Sequence, residues 1–184
     1  MKKSSYFRNL VQGFTIIELM ITVVVLGVLL SLALPSFQQL MNNNRIVSET
    51  NGLVSDLALA RSEALKRGGT TLITVCARAN DTSCTGTVDW GKGHLVFVES
   101  NATGTVGSVD TGETVIRSSA VSEGMTIVAA GFSTAGYVAY NSTGAITSTT
   151  PGTITICRSG YAGRIVSVTT TGRVSLANTS TNCP

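Results

Sequence analysis

From Phe14 to Leu34 the chain reads FTIIELMITVVVLGVLLSLAL, 21 residues with a single charge, Glu18. A helix of that length rises roughly 31 Å, the thickness of a bilayer's hydrocarbon core, so residues 14–34 are expected to span a membrane. The helical pattern does not stop there. Pro35 lacks a backbone donor and predicts a kink of a kind that membrane helices tolerate. Leu40, Val47, Thr50, Val54, Leu57, Arg61 and Ala64 then recur at steps of three, four and seven, and Met41, Ala58 and Leu65 widen the stripe. Asn42, Asn43, Asn44, Glu49, Asp56, Glu63 and Lys66 fill the remaining positions, so one face is expected to pack on a sheet. The cations Lys66 and Arg67, followed by Gly68-Gly69, mark the C-terminus. The pattern therefore predicts one helix from Phe14 to Arg67, 54 residues and roughly 80 Å.

After Gly69 the composition turns to Thr, Val, Ile, Gly and Ser, and the helical period vanishes. Strands are expected at 70–78, 94–99, 114–118, 125–129, 136–140, 153–158, 164–169 and 173–177, divided by Gly, Asn and Ser clusters whose short spacing favours antiparallel sheets. Residues 101–112 and 142–152, rich in Gly, Thr and Ser, read as mobile loops. The organisation is thus a lead-in over 1–13, an apolar helix over 14–34, an amphipathic helix over 35–69 and a β-rich domain over 70–184, an α+β fold.

At 184 residues, 43% apolar and 12% charged, the chain has apolar surface enough for a core and too much for disorder. The formal charge of +3 comes from Lys2, Lys3 and Arg8, because from Phe14 onward ten basic residues face ten acidic ones. That balance excludes a globally basic nucleic-acid binder. The three leading cations keep the lead-in cytoplasmic, and everything beyond Leu34 is expected to be exported. A cleaved secretory signal, the alternative, would have an apolar region of about 7 to 15 residues ending at a small-residue site. Here the run is longer and its glycine precedes it.

The junction Gly13-Phe14-Thr15-Ile16-Ile17-Glu18-Leu19 resembles the type IV prepilin signature, a glycine, then phenylalanine, then a glutamate as fifth residue of the mature chain. In that family a peptidase cuts after the glycine on the cytoplasmic side and methylates the new amino terminus, so the resemblance makes Gly13 and Phe14 the processing site. A carboxylate at mid-membrane costs on the order of 2.5 to 3.5 kcal/mol, less near a helix end, so Glu18 calls for a partner. The α-amine freed at Phe14, on the same or a neighbouring subunit, would supply it and make Glu18 an assembly contact. Solvation among lipid headgroups is the plainer alternative.

Farther along, NGLVSDLALARSEALKRG over 51–68, then TLITVCAR, DWGKGHLVFVE, GETVIR, YVAYNSTGAI, TITICR and GRIVSVTTTGRVSL resemble the GspH/FimT family of minor pilins and pseudopilins. The resemblance implies a type IV pilin-like fold, a long N-terminal helix whose exposed half packs on antiparallel β-sheets.

Cys76, Cys84, Cys157 and Cys183 all fall in the part expected to be exported, where disulfides persist. Of the three pairings open to them, Cys76 with Cys84 closes a hairpin-sized loop and Cys157 with Cys183 pins the C-terminus; these two are favoured. The spacings C-x7-C and C-x25-C contain no C-x-x-C pair, so no metal site is expected. The one histidine, His94, stands at a strand start and reads as a packing or hydrogen-bonding residue. Asp81 and Asp89 belong to loops, and neither a phosphate-cradling glycine loop nor a Ser/His/Asp signature appears. The chain is read as a non-enzyme without a cofactor.

Glu123 is the last acidic residue, which leaves Arg158, Arg164 and Arg173 unopposed over 124–184, whereas residues 14–123 hold seven basic against ten acidic side chains. Grouped on one surface, the three would give salt-sensitive, sequence-independent affinity for phosphates. Some FimT-like members of the resembled family bind DNA during natural transformation through a C-terminal G-R-x-R motif. Gly172-Arg173 matches its first half, but Ser175 stands where the second arginine belongs, and Gly163-Arg164 lacks one as well. Turn glycines followed by exposed strand arginines are the preferred reading.

The resemblance thus implies a minor pilin that primes or takes part in type IV pilus assembly after leader cleavage and N-methylation. A type II secretion pseudopilin and a DNA-binding minor pilin of natural transformation are the alternatives. The implied partners are the prepilin peptidase, other minor and major pilins or pseudopilins, and an inner-membrane assembly platform. The implied location is a single pass in the bacterial inner membrane with the C-terminal domain periplasmic, then the pilus or pseudopilus.

Overall fold

The computed structural model describes residues 13–100, 105–134 and 136–183, so the expectations for residues 1–12 and 101–104 lie outside the described residues. The elements in order are helix α1 (Ile16–Arg67) and strands β1 (Leu72–Asn80), β2 (Ser83–Cys84), β3 (His94–Glu99), β4 (Thr114–Ser119), β5 (Thr126–Ala130), β6 (Tyr137–Tyr140), β7 (Gly152–Cys157), β8 (Ala162–Val168) and β9 (Val174–Asn182). The fold class is α+β, as expected, and the eight predicted strands all exist. The short β2 is an addition, and β9 runs five residues farther than its predicted end. The chain divides into two units, Met1–Leu40 and Met41–Pro184.

In the first unit α1 opens on a cap. The Thr15 hydroxyl accepts the Glu18 N–H at 3.2 Å and the Thr15 carbonyl accepts the Leu19 N–H at 3.1 Å, which satisfies donors left over at the helix start. The large apolar side chains described from Phe14 to Leu40 are all exposed. Thr22 and Ser31 turn their hydroxyls back onto the carbonyls of Leu19 and Val28 at 2.8 and 2.7 Å, so both hydroxyls within the helical part of the run find partners inside the helix. The helix is unbroken across position 35; the side chain of Pro35, on which the expected kink rests, lies outside the described residues.

In the second unit, two antiparallel sheets and the remainder of α1 enclose one core. β1 pairs with β3, β6 and β2, and β3 pairs in turn with β4, giving five strands. The other sheet runs β5-β7-β8-β9. Leu53, Leu57 and Ala60 of α1 meet Val75 and Val138 of the first sheet and Ile154, Ile156 and Val166 of the second in a single apolar cluster. A smaller cluster, Cys76, Leu95 and Phe97 with Val109, Val115 and Tyr137 against it, occupies the opposite face of the first sheet.

The packing face of α1 corrects the predicted stripe. The side chains buried there are Ile46, Thr50, Leu53, Asp56, Leu57, Ala60 and Ala64, whereas Leu40, Met41, Ala58 and Leu65 are exposed and Val47, Val54 and Arg61 half-buried. Two stripes offset by one residue share Thr50, Leu57 and Ala64, and apolar spacing cannot choose between them. Packing chooses, because the small Ala60 and Ala64 let the sheets approach and Asp56, assigned to the wet face, has polar partners inside.

Residues 142–152, read as a mobile loop, are pinned. Tyr140 bridges Ile146, Asn141 Oδ1 accepts from Thr143 and Ala145, and Ser148 donates to the Thr150 carbonyl at 2.7 Å. Ile146 and Ser148 are buried.

Candidate assembly segment and the anchor of its helix

Gly13 and Phe14 stand immediately before the Thr15 cap, and Phe14 is 72% exposed. Glu18 lies in the first turn, where the unpaired N–H groups and the helix dipole favour a negative charge. Its side chain is exposed and has no partner among the described residues. Thr15-x-x-Glu18 is also the spacing of a capping box, a signal that places the helix start at Ile16, two residues after the predicted Phe14. Even with Glu18 inside it, the most apolar 18-residue stretch of α1 has a mean hydropathy of 2.6, and none of it is buried.

A second group of residues, not foreseen as a set, ties the other half of α1 to the first sheet. Asp56, 2% exposed, accepts hydrogen bonds from Arg117 Nη1 at 2.6 Å on Oδ1 and from Ser119 Oγ at 2.7 Å on Oδ2, and its Oδ2 lies 2.8 Å from His94 Nε2. His94 opens β3, while Arg117 and Ser119 lie on β4 directly beside it, since the register pairs His94 with Ser119 and Val96 with Arg117. Burial alone would raise the Asp56 carboxyl; the bonds from His94, Ser119 and Arg117 more than reverse this and hold it down at about 2. The cluster has an acid, a histidine and a serine, but the serine bonds the carboxylate rather than the imidazole, so the arrangement anchors instead of activating a nucleophile. Glu49 repeats the device one end along, accepting from Ser122 N and Oγ at 3.0 and 2.6 Å. Asn42 Nδ2 donates to Tyr161 Oη at 2.7 Å.

Two disulfides join Cys76 to Cys84 and Cys157 to Cys183. The first links β1 to the adjoining β2. The second fastens the residue after β9 to the end of β7, across β8.

The three C-terminal arginines are not drawn together. Arg158 donates from Nη1 to the Glu123 carbonyl at 3.0 Å. Arg164 lines a cleft with Asn43, Ile46, Val47, Asn178 and Thr179. Arg173 is exposed beyond the far end of the β8–β9 ladder: Arg164 pairs with Asn178 and Val168 with Val174, four steps or about 13 Å apart. Its neighbour is a cation missed in the sequence, Arg61 of α1, which shares a cleft with Arg173, Thr169 and Ser175 and donates to the Thr171 carbonyl at 3.2 Å. Gly172 has its own reason to be glycine, for φ is +74° and a Cβ there would strike the Gly144 carbonyl oxygen.

Comparison with known proteins agrees with this arrangement. Residues 8–34 match the prokaryotic N-terminal methylation motif and residues 49–172 match the family described as Type II transport protein GspH. No curated protein matches the chain. Two crystal structures of the type IV minor pilin FimU from Pseudomonas aeruginosa share the fold at 23% identity: one covers 71% of this chain and 90% of that one with a TM-score of 0.51, the other 74% and 90% with 0.54. With an N-terminal methylation motif at the start of its apolar helix and the family match spanning most of the helix-on-sheet unit, the chain belongs to the GspH family and has the fold of a type IV minor pilin.

Proposed function

We propose that the chain is a minor pilin, cut after Gly13, methylated at Phe14 and built into a type IV pilus through residues 14–34, with Glu18 meeting the α-amine of a neighbouring subunit. The observation that carries this reading is the exposed apolar length of α1 that lies within the methylation motif. So large an apolar surface must be covered, first by lipid and then by sibling helices. A prepilin peptidase, other pilins and an inner-membrane assembly platform are the partners this mechanism needs. The sheet-bearing unit would lie in the periplasm, where its disulfides persist, and would contact other minor subunits.

The family description favours a second reading, a pseudopilin of type II secretion, built by the same chemistry. Mass spectrometry of the membrane-extracted protein tests the shared part: a chain beginning at methylated Phe14 is expected, and an intact leader would overturn it. Glu18→Ala tests assembly, with incorporation into sheared surface fibres expected to fall at least tenfold while membrane insertion persists. Undiminished incorporation would refute the role of Glu18. Loss of secretion with intact pili in a deletion strain would select the pseudopilin. DNA contact through Arg158, Arg164 and Arg173 stays the lesser reading, since Arg173 lies apart from Arg164.

A further inference from the structure

On the face of the first sheet turned from α1, the register sets Leu72, Thr74 and Cys76 of β1 across from Glu99, Phe97 and Leu95 of β3. The segment 105–113 folds over this face, with Val109 against the Phe97 cluster. Gly107 must be glycine for this fit, having φ of +92° and a Cβ position that falls within the Tyr137 ring. Its N–H reaches Glu99 Oε2 at 3.1 Å, and Thr74 Oγ1 donates to the same oxygen at 3.2 Å. The other carboxylate oxygen, Glu99 Oε1, is buried with no hydrogen-bond partner, on a side chain only 1% exposed.

What stands near Glu99 is more negative charge. One ladder step beyond the Val98–Thr114 pair lies Glu113, and Asp110 enters from the preceding turn. One oxygen from each of Glu99, Asp110 and Glu113 lies within 4.8 Å of the others. Backbone N–H groups aim these carboxylates: Ser100 onto Glu113 Oε1 at 2.8 Å, Asp110 onto Glu113 Oε2 at 2.9 Å and Thr105 onto Asp110 Oδ2 at 2.7 Å. They bring no full positive charge, and among the described residues no lysine, arginine or histidine forms an ion pair with any of the three. Like charges facing across adjacent strands repel, more strongly at a buried site.

We infer that Glu99, Asp110 and Glu113 form a binding site for a hard divalent cation, calcium, which clamps the segment 105–113 onto the sheet. An all-oxygen, anionic donor set held partly by a turn suits calcium, whose coordination of six to eight oxygens is flexible, and does not suit a thiolate-seeking metal. The cysteine spacing that argues against zinc is silent on this set, because its three carboxylates meet only when β3 and β4 pair. The assignment is independent of the pilin reading.

The test uses the full-length chain in detergent micelles, stripped with a chelator and then titrated with calcium chloride against potassium chloride of equal ionic strength. Calcium at about 100 times its dissociation constant is expected to raise the melting temperature by about 5–10 °C. Asp110→Asn, on the half-exposed turn, is expected to weaken calcium affinity at least tenfold by calorimetry, and Glu99→Gln to abolish the thermal shift. If Glu99→Gln does not fold, Asp110→Asn decides alone. A wild-type melting temperature that calcium leaves unmoved would overturn the site, a shared proton then being the sufficient counter-charge. Unchanged affinity in Asp110→Asn would overturn it equally.

Discussion

Asp56 shows how one side chain can decide how a helix sits. It is buried, ionised and bonded to three residues of two strands, so its removal strands His94 and Arg117 without their acceptor. Asp56→Ala is expected to destabilise the folded chain by about 3 kcal/mol, read as a lower urea midpoint, whereas an exposed carboxylate replaced by alanine changes stability within about 0.5 kcal/mol. Its pH dependence has a definite sign. The carboxyl lies at about 2 when folded against an ordinary 3.8, so its contribution is present above the ordinary value and is lost as pH falls from about 4 toward 2. The shift corresponds to about 2 kcal/mol, and an acid-unfolding series in which Asp56→Asn lacks that component would check it. None of this was legible in the sequence, which offered only an aspartate among polar neighbours and one histidine 38 positions away.

At the scale of elements, the extent of α1 was legible and its rotation was not. The run of apolar residues, the Lys66-Arg67-Gly68 stop and the Thr- and Val-rich runs set between Gly, Asn and Ser clusters are local signals, and each marked an element that exists. The buried side of α1 depends instead on which positions the sheets can approach, and a one-residue offset leaves the spacing equally good. Substitution distinguishes the two faces. Leu57→Ala, at a position with no exposure, is expected to cost about 2–5 kcal/mol, while Leu65→Ala, on a half-exposed side chain assigned to the stripe by spacing, should change stability by less than about 0.5 kcal/mol in the same unfolding assay. Strand β2 escaped notice because two residues carry no periodicity; the pairing of Arg78 with Cys84 and the disulfide beside it define that strand.

For the molecule as a whole, the two ends of α1 meet different demands. Residues 41–67 bury one face in their own unit, and the apolar length before them buries nothing. The full chain is therefore expected to stay in the membrane fraction through high salt and alkaline carbonate and to be released by detergent; release by salt alone would contradict a spanning helix. That helix, the glycine-phenylalanine junction, the succession of strands and the family pattern were determined by the sequence itself, because hydropathy, turn chemistry and short motifs act between residues close along the chain. The tertiary structure alone decided that Asp56 meets His94 and Arg117, that Glu99 and Glu113 face one another, and that Arg164 and Arg173 stand apart. Those encounters depend on which strands pair and in what register, and long-range pairing is a property of the packed core that no window of sequence contains.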